Sequence, residues 1–188
     1  MVIDNGTLRL RPATLADACE WLAGEDDELA RWFEFPRRST LEDTESAIAG
    51  WSESWRIGGP VRCWAICDVA TAAIAGGIEL HRLDENDVNL SYFVFASWRR
   101  RGIATAAAEL ALEYAATAMH ASRAVIKVLE GNTASLAVAR HLNAQLVGTM
   151  PSDAGGTFLV FHRSLVPAVR EYAPPVPGRI PRSLRPSA

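Results

Sequence analysis

The sequence predicts an α/β layered domain with a single mixed, largely antiparallel sheet of seven strands that is flanked by helices. Three observations support this fold class. Between Arg62 and Phe95 apolar residues recur with a period of two, which is typical of antiparallel strands joined by turns. From Arg101 the period becomes helical, and short apolar runs then alternate with helical segments. Strands separated by helices are joined by crossovers, so helices are expected to cover the sheet.

Local signals place the individual elements. Residues 8–11 alternate between Leu and Arg and form a strand that ends at Pro12, and Thr14 with Asp17 resembles the capping box of a helix. Helices are predicted from about Leu41, from Arg101 and over residues 133–142. Polar turns delimit the other strands, which are predicted at residues 63–67, 73–83, 88–95, 124–129, 146–150 and 158–165.

Length and composition restrict the kind of protein. The 188 residues are enough for one domain with its own core, which we place at residues 1–168. The Pro- and Arg-rich residues 169–188 are predicted to form a flexible C-terminal tail. A net charge of −3 disfavours a nucleic-acid-binding protein, and no apolar run approaches the length of a membrane span. We therefore expect neither a nucleic-acid partner nor a membrane.

The cysteines indicate the compartment. Cys19, Cys63 and Cys67 are an odd number without the spacing of a metal site, so no metal is expected. Buried, reduced thiols are the simplest interpretation, and they are typical of a cytoplasmic protein. The N-terminus carries Asp4 before any apolar stretch, which is unlike a secretory signal. We therefore expect a cytoplasmic location.

Residues 94–105 contain the clearest functional signal. A strand ends there, a short turn follows, and a helix starts beside a glycine that follows three arginines. The first backbone N–H groups of a helix lack partners, and Gly102 and Ala104 leave room for an anion to approach them. A phosphate-bearing ligand, most naturally a pyrophosphate, fits this arrangement. A solvated turn that binds nothing is the alternative interpretation.

This segment resembles the Arg/Gln-x-x-Gly-x-Gly/Ala motif of the GNAT superfamily of acetyl-coenzyme A-dependent N-acetyltransferases, with Arg99, Gly102 and Ala104 at its three defined positions. Asn132 and Ser135 match the next signature of that family, an Asn soon after the following strand and a small residue three positions on. Residues 8–18 resemble the start of the branch that acetylates the N-termini of ribosomal proteins. The resemblance covers residues 7–165 and implies a GNAT-like fold.

The resemblance implies acetyl-CoA as the cofactor and assigns residues to it. Tyr92, Phe93 and Val94 are expected to diverge from the next strand, so that their backbone groups pair with the pantetheine arm and one N–H polarises the thioester carbonyl. Asn132 is expected to hold the pantetheine amide. The pyrophosphate is expected to lie against the run of Arg99, Arg100, Arg101, Gly102, Ile103 and Ala104.

Two side chains are candidates for proton transfer. Ser135 is expected near the sulfur as the acid for the leaving thiolate, because Ala139 stands where many relatives have a tyrosine. A serine that only caps or packs the helix is the alternative. Asn89 stands where the branch often has a glutamate, so Glu79, with a pKa raised by partial burial, is the candidate base. The alternative is a solvent-facing Glu79, and His81 on the same face is a candidate proton relay.

The predicted function is transfer of an acetyl group from acetyl-CoA to a primary amine, on a peptide N-terminus or a small molecule, by direct attack in a ternary complex. A non-catalytic acyl-CoA-binding or sensing module is the alternative, and the Pro/Arg tail keeps an RNA-associated protein as a third. Acidic residues and tryptophans between Trp21 and Trp55 favour a cationic acceptor, although the same rings can be core anchors. Because the family often dimerises, a homodimer is also expected.

Overall fold

A computed structural model describes residues 1–165 and has the predicted mixed α/β fold, with one open sheet flanked by helices. The domain boundary at residue 168 and the tail at residues 169–188 lie outside the described residues. Within them the α-helices are α1 Ala18–Gly24, α2 Asp27–Trp32, α3 Leu41–Ile57, α4 Ile103–Thr117 and α5 Thr133–His141. The strands are β1 Ile3–Asp4, β2 Leu8–Pro12, β3 Val61–Asp68, β4 Ile74–Arg82, β5 Asp87–Val94, β6 Arg123–Leu129, β7 Gln145–Pro151 and β8 Thr157–Ser164.

The sheet has eight strands in the order β1-β2-β3-β4-β5-β6-β8-β7, so the predicted number of seven was wrong by one. The additional strand is β1, in which Ile3 pairs with Leu10 and Asp4 with Arg9. Two residues are too few for a hydrophobic period to appear in the sequence, so this strand gave no signal.

Neighbouring strands are antiparallel except β5 and β6, which are parallel. A parallel pair needs a crossover, and α4 lies in the connection between these two strands. This helix packs tightly because four small side chains on one of its faces are fully buried: Ala107, Ala108, Ala111 and Ala115.

The two faces of the sheet carry separate buried clusters. Ile78 and Leu80 of β4 pack with the alanines of α4, whereas Cys63 of β3 packs with Trp21 of α1 and Ile48 of α3. This division follows from the alternation of side chains along a strand. Helices α4 and α5 therefore cover one face, and α1 and α3 the other. No helix within residues 1–165 is long and apolar enough to cross a membrane.

Polar contacts fix the entry to α1. Thr14 and Asp17 form the predicted capping box, in which the Thr14 backbone N–H donates to the Asp17 carboxylate at 2.7 Å. A short 3-10 turn, Leu15–Asp17, separates this box from the helix. Arg11 donates two further bonds of 2.7 Å to the same carboxylate. Burial raises the pKa of Asp17, but the Arg11 bonds and the Thr14 N–H outweigh it and hold the pKa below its ordinary value.

Candidate functional site

A cleft opens where β5 leaves β6. The two strands pair only from Asp87 with Arg123 to Leu90 with Ile126, although β5 continues to Val94. Tyr92, Phe93 and Val94 lie in this divergent segment, which remains paired with β4 on its other edge. Its outward backbone groups therefore face open space rather than β6. We call this cavity of about 930 Å³ the β5–β6 cleft; it is also lined by the starts of α4 and α5.

The start of α4 forms one end of the cleft. Gly102 precedes the helix with φ at +75°, and no side chain caps the first turn. The N–H groups in the first turn of a helix have no intrahelical partner and lie at the positive end of the helix dipole. Because no side chain caps them here, they are available to a ligand. A Cβ built on Gly102 would meet nothing within 4 Å, so the approach is open. Gly102, Ile103 and Ala104 all line the cleft, and this arrangement suits an anionic group such as a phosphate.

The three arginines of the motif have different environments. The Arg99 guanidinium donates to Glu28 at 2.7 Å, to Asp26 at 2.8 Å and to the Val94 carbonyl at 3.0 Å. It thereby ties the loop to α2, and its bonds hold the pKa of Asp26 below the ordinary value. No local sequence pattern predicts these contacts, because the acidic residues lie more than 70 positions from the arginine.

The other two arginines of the motif also differ in the contacts that they make. Arg101 donates to the Ser97 carbonyl at 2.8 Å and stacks over Trp98, with 5.0 Å from guanidinium to ring centroid. Arg100 is exposed, lines the cleft and makes no ion pair among residues 1–165. Of the three guanidinium groups, that of Arg100 is therefore the one available to an anion in the cleft.

Asn132 and Ser135 line the cleft from the start of α5. The side-chain oxygen of buried Asn132 accepts the Ser135 backbone N–H at 3.0 Å and so caps the helix. Its amide NH₂ group is left to donate to a ligand. Ser135 is half-buried, and because Asn132 is the cap, the Ser135 hydroxyl is not used in capping.

A second cavity, of about 530 Å³, lies on the sheet face covered by α1 and α3. We call it the aromatic pocket, because seven rings line it: Trp21, Phe33, Phe35, Trp51, Tyr92, Phe93 and Phe95. Glu79 of β4 also lines it and is half-buried. Burial raises the pKa of Glu79, and nearby His81 and Trp51 oppose the shift. His81 itself is exposed and does not line the pocket.

The two cavities meet at β5. Ser91, Tyr92 and Phe93 line both of them, together with Leu29 and Phe33 from the α2 region. Ser91 also pairs directly with Glu79 across the β4–β5 ladder. A ligand that extends along β5 from the start of α4 therefore ends beside Glu79.

Comparison with known proteins identifies the family. The family described as "Acetyltransferase (GNAT) domain" matches residues 7–145, which is about three quarters of the chain. The chain belongs to the GNAT acetyltransferase family. No curated protein is similar enough in sequence to give a significant match.

Solved GNAT structures share the fold at low sequence identity. One is RimL, a ribosomal L7/L12 alpha-N-protein acetyltransferase in complex with coenzyme A, which is 20% identical with a TM-score of 0.78 over 87% of this chain and 98% of that one. Mycobacterium smegmatis RimJ with CoA-disulfide is 22% identical, with a TM-score of 0.73 over 84% and 81%. The microcin C7 self-immunity acetyltransferase MccE, in complex with acetyl-CoA and AMP, is 18% identical, with a TM-score of 0.76 over 85% and 93%.

One polar group in this GNAT site was not anticipated from the sequence. The Tyr92 hydroxyl is buried, and it has no hydrogen-bond partner among residues 1–165. Burial raises the pKa of Tyr92 to about 12, and the neighbouring Ser135 side chain opposes the shift. A hydroxyl with this pKa keeps its proton at neutral pH. The sequence drew attention only to the backbone of Tyr92, because strand alternation alone does not show what a side chain meets.

Proposed function

We propose that this protein transfers the acetyl group of acetyl-CoA to a primary amine, on a small molecule or a peptide N-terminus, by direct attack in a ternary complex. The observation that carries the proposal is the meeting of the two cavities at Ser91, Tyr92 and Phe93, beside Glu79. A thioester that enters along the β5–β6 cleft and an amine that enters through the aromatic pocket would meet there. Holding both reactants in this way supplies much of the rate.

The residues of the cleft fit the coenzyme. The N–H groups at Gly102, Ile103 and Ala104 suit its diphosphate, and Arg100 adds a free positive charge. Arg99 and Arg101 act as positioning residues, since their guanidinium groups are already bonded. The divergent backbone of Tyr92, Phe93 and Val94 suits the pantetheine arm, as does the Asn132 amide. The CoA complexes of RimL and RimJ and the acetyl-CoA complex of MccE support this assignment.

The chain supplies three proton or charge contacts to the reaction. Acetyl-CoA brings an activated thioester. Glu79 accepts the proton that the ammonium group must lose before its nitrogen can attack the carbonyl. A backbone N–H of the divergent β5 segment stabilises the negative charge that develops on the carbonyl oxygen. As the C–N bond forms and the C–S bond breaks, the Ser135 hydroxyl, with Tyr92 beside it, passes its proton to the sulfur and takes up the proton that the attacking nitrogen releases.

The test separates catalysis from simple binding. Calorimetry measures CoA binding, and free-thiol release with acetyl-CoA and a panel of amines measures turnover, with the product identified by its mass. Amine-dependent release of one thiol per acetylated amine supports the proposal. Binding of CoA without turnover of any amine supports a non-catalytic acyl-CoA-binding module instead, and absence of CoA binding contradicts both.

Location and assembly remain predictions. The three cysteines are free; Cys63 and Cys67 are buried as expected, whereas Cys19 is exposed. The expected homodimer is to be tested by light scattering of the purified protein.

A further inference from the structure

We propose that the aromatic pocket selects a monoamine whose amino group is joined by a short linker to an aromatic ring, as in an arylethylamine. The inference rests on the proposed acetyl transfer and adds the class of acceptor. The sequence favours a cationic acceptor, and the proposal restricts this class to amines that carry one positive charge and an apolar group.

The rings of the pocket form one continuous surface. The Trp21 ring centroid lies 5.3 Å from that of Trp51 and 5.3 Å from that of Phe93, and Phe93 lies 5.9 Å from Phe33. The Trp21–Phe93 and Phe33–Phe93 contacts are edge-to-face, at 78° and 87°. Aromatic pairs favour such offset geometries beyond the burial of their area, so a further ring extends the same packing.

Two glycines leave this space to the rings. A Cβ at Gly77 would lie 2.7 Å from both Phe93 and Trp21, and a Cβ at Gly24 would lie 2.5 Å from Phe95. The rings therefore rest directly on the backbone, where their positions are fixed before a ligand arrives. Preorganised rings bind a flat ligand without an ordering cost.

Part of this aromatic surface is exposed to water. Phe33 and Phe35 keep 37% and 41% of their surface accessible and stack on each other at 5.7 Å, in the segment that follows α2. Both line the pocket. Exposed apolar groups beside a cavity mark a surface that a ligand covers, and a ring-bearing ligand gains most from covering them.

The charges and the apolar lining of the pocket suit a single ammonium group. Asp43 is neutralised by Arg37 at 2.7 Å. Among residues 1–165, Glu25 and Glu79 have no ion-pair partner, and the Glu25 carboxylate accepts the Ser39 N–H. Of these two, Glu79 pairs with Ser91, where the two cavities meet. A monoamine places its one charge at Glu79 and its apolar part against the rings, whereas the further charges of a polyamine would lose water against those rings.

The spacing of the rings and Glu79 along β4 favours a short linker. Gly77, on which Trp21 and Phe93 rest, lies two residues from Glu79 on the same face of β4, so the two Cα atoms are about 7 Å apart. A linker of one or two carbons, followed by a hydrogen bond of about 2.9 Å from the amine nitrogen to the carboxylate, covers a length of this order. Free arylethylamines contain this unit, and so does a peptide whose first residue is Phe, Tyr or Trp.

The experiment compares amines that differ either in the presence of a ring or in the number of charges. We expect kcat/KM for 2-phenylethylamine and tryptamine to exceed that for butylamine and for spermidine at least about tenfold, because only the first two bury a ring. A peptide that starts with Phe is compared with the same peptide starting with Ser. Preference for free amines or for the Phe peptide identifies the source of the unit. Equal or faster turnover of butylamine, spermidine or the Ser peptide overturns the inference while leaving acetyl transfer intact.

A variant pair ties the preference to the pocket. Phe35→Ala should lower kcat/KM for 2-phenylethylamine about fivefold and leave KM for acetyl-CoA unchanged. Leu146→Ala is the control, because Leu146 is also apolar and exposed but lines neither cavity. An equal effect of the two substitutions contradicts the inference. If CoA binds but no amine is turned over, quenching of tryptophan fluorescence by 2-phenylethylamine decides, and its absence overturns the inference.

Discussion

The β5–β6 cleft and the aromatic pocket lie side by side but are built differently. Along the divergent part of β5 and at the start of α4, the cleft presents backbone groups and small residues such as Gly102 and Ala104. The pocket is formed by large side chains that come from α1, α3, the segment after α2 and the sheet. The first surface depends on where the chain turns, and the second depends on which side chains meet.

This difference separates the two halves of the proposed reaction. A coenzyme that is held by backbone N–H groups and a helix dipole needs only a few residues of fixed type, which form a contiguous motif. An acceptor that is held by side chains can change with substitutions at many separate positions while the fold stays the same. Substitutions in the cleft should therefore affect every acceptor equally, and substitutions in the pocket should affect acceptors selectively.

The largest effect is expected at the start of α4. Gly102→Glu places a negative charge and a Cβ at a position with φ of +75°, where the anion is to bind, so CoA affinity should fall more than about 100-fold by calorimetry. Gly58→Glu is the matched control, because Gly58 has φ of +70° and open space but lies at the end of α3. Equal losses in both variants would assign the effect to backbone strain.

The next effect concerns the proposed base. Glu79→Gln should lower kcat about 100-fold for all amines, because general base catalysis contributes about that factor. Glu85→Gln, in an exposed turn, should change kcat less than twofold. Because burial raises the pKa of Glu79, wild-type kcat/KM should fall on the acid side at a pH above the ordinary glutamate value of 4.5. This acid limb should disappear in Glu79→Gln, and its persistence would exclude Glu79 as the base.

The same shift in pKa fixes the sign of an effect on stability. A carboxyl whose pKa is higher in the folded than in the unfolded state binds its proton more tightly when folded, so ionisation destabilises the fold as pH rises through that interval. Glu79→Gln should therefore raise the free energy of unfolding at pH 7 and lose this advantage near pH 4. Urea unfolding at the two pH values measures the difference. Burial of Glu79 in the aromatic pocket thus raises the pKa of its carboxyl and lowers the free energy of unfolding at pH 7.

A smaller effect separates the arginines. Arg100→Ala should raise KM for acetyl-CoA about fivefold at low salt, with kcat unchanged, because an exposed ion pair contributes about 1 kcal/mol. Arg101→Ala should change KM less than twofold, since that guanidinium is bonded to Ser97 and Trp98. The opposite ranking would mean that the loop rearranges around the coenzyme.

The smallest effect is expected where the two cavities meet. Tyr92→Phe removes a hydroxyl beside Ser135 and should lower kcat about threefold, because a thiolate is already a good leaving group. Tyr114→Phe, on α4 outside both cavities, is the control. A double variant with Ser135→Ala should lose less than the product of the single losses if both hydroxyls serve one proton transfer.

The sequence predicted the fold and the cleft better than the pocket, for a physical reason. Strand periodicity and the motif around Gly102 are local, so the order of elements and the family were confirmed, with the two-residue strand β1 as the exception. The partners of Arg99 and the hydroxyl of Tyr92 depend on contacts between distant segments, which no local pattern encodes. Gly77 is an example. The sequence indicates only a residue that weakens a strand, whereas the structure shows the rings of Trp21 and Phe93 packed against its backbone.

The bonds of Arg99 have a consequence for how the binding of the coenzyme and the binding of the acceptor affect each other. The Arg99 guanidinium bonds to the Val94 carbonyl at the end of β5 and to two carboxylates at the start of α2, so a single side chain connects the walls of both cavities. A movement of the coenzyme loop would therefore either carry α2 with it or break these bonds. Thermodynamic reciprocity then requires that, if bound coenzyme raises the affinity for the acceptor by some factor, bound acceptor raises the affinity for the coenzyme by the same factor.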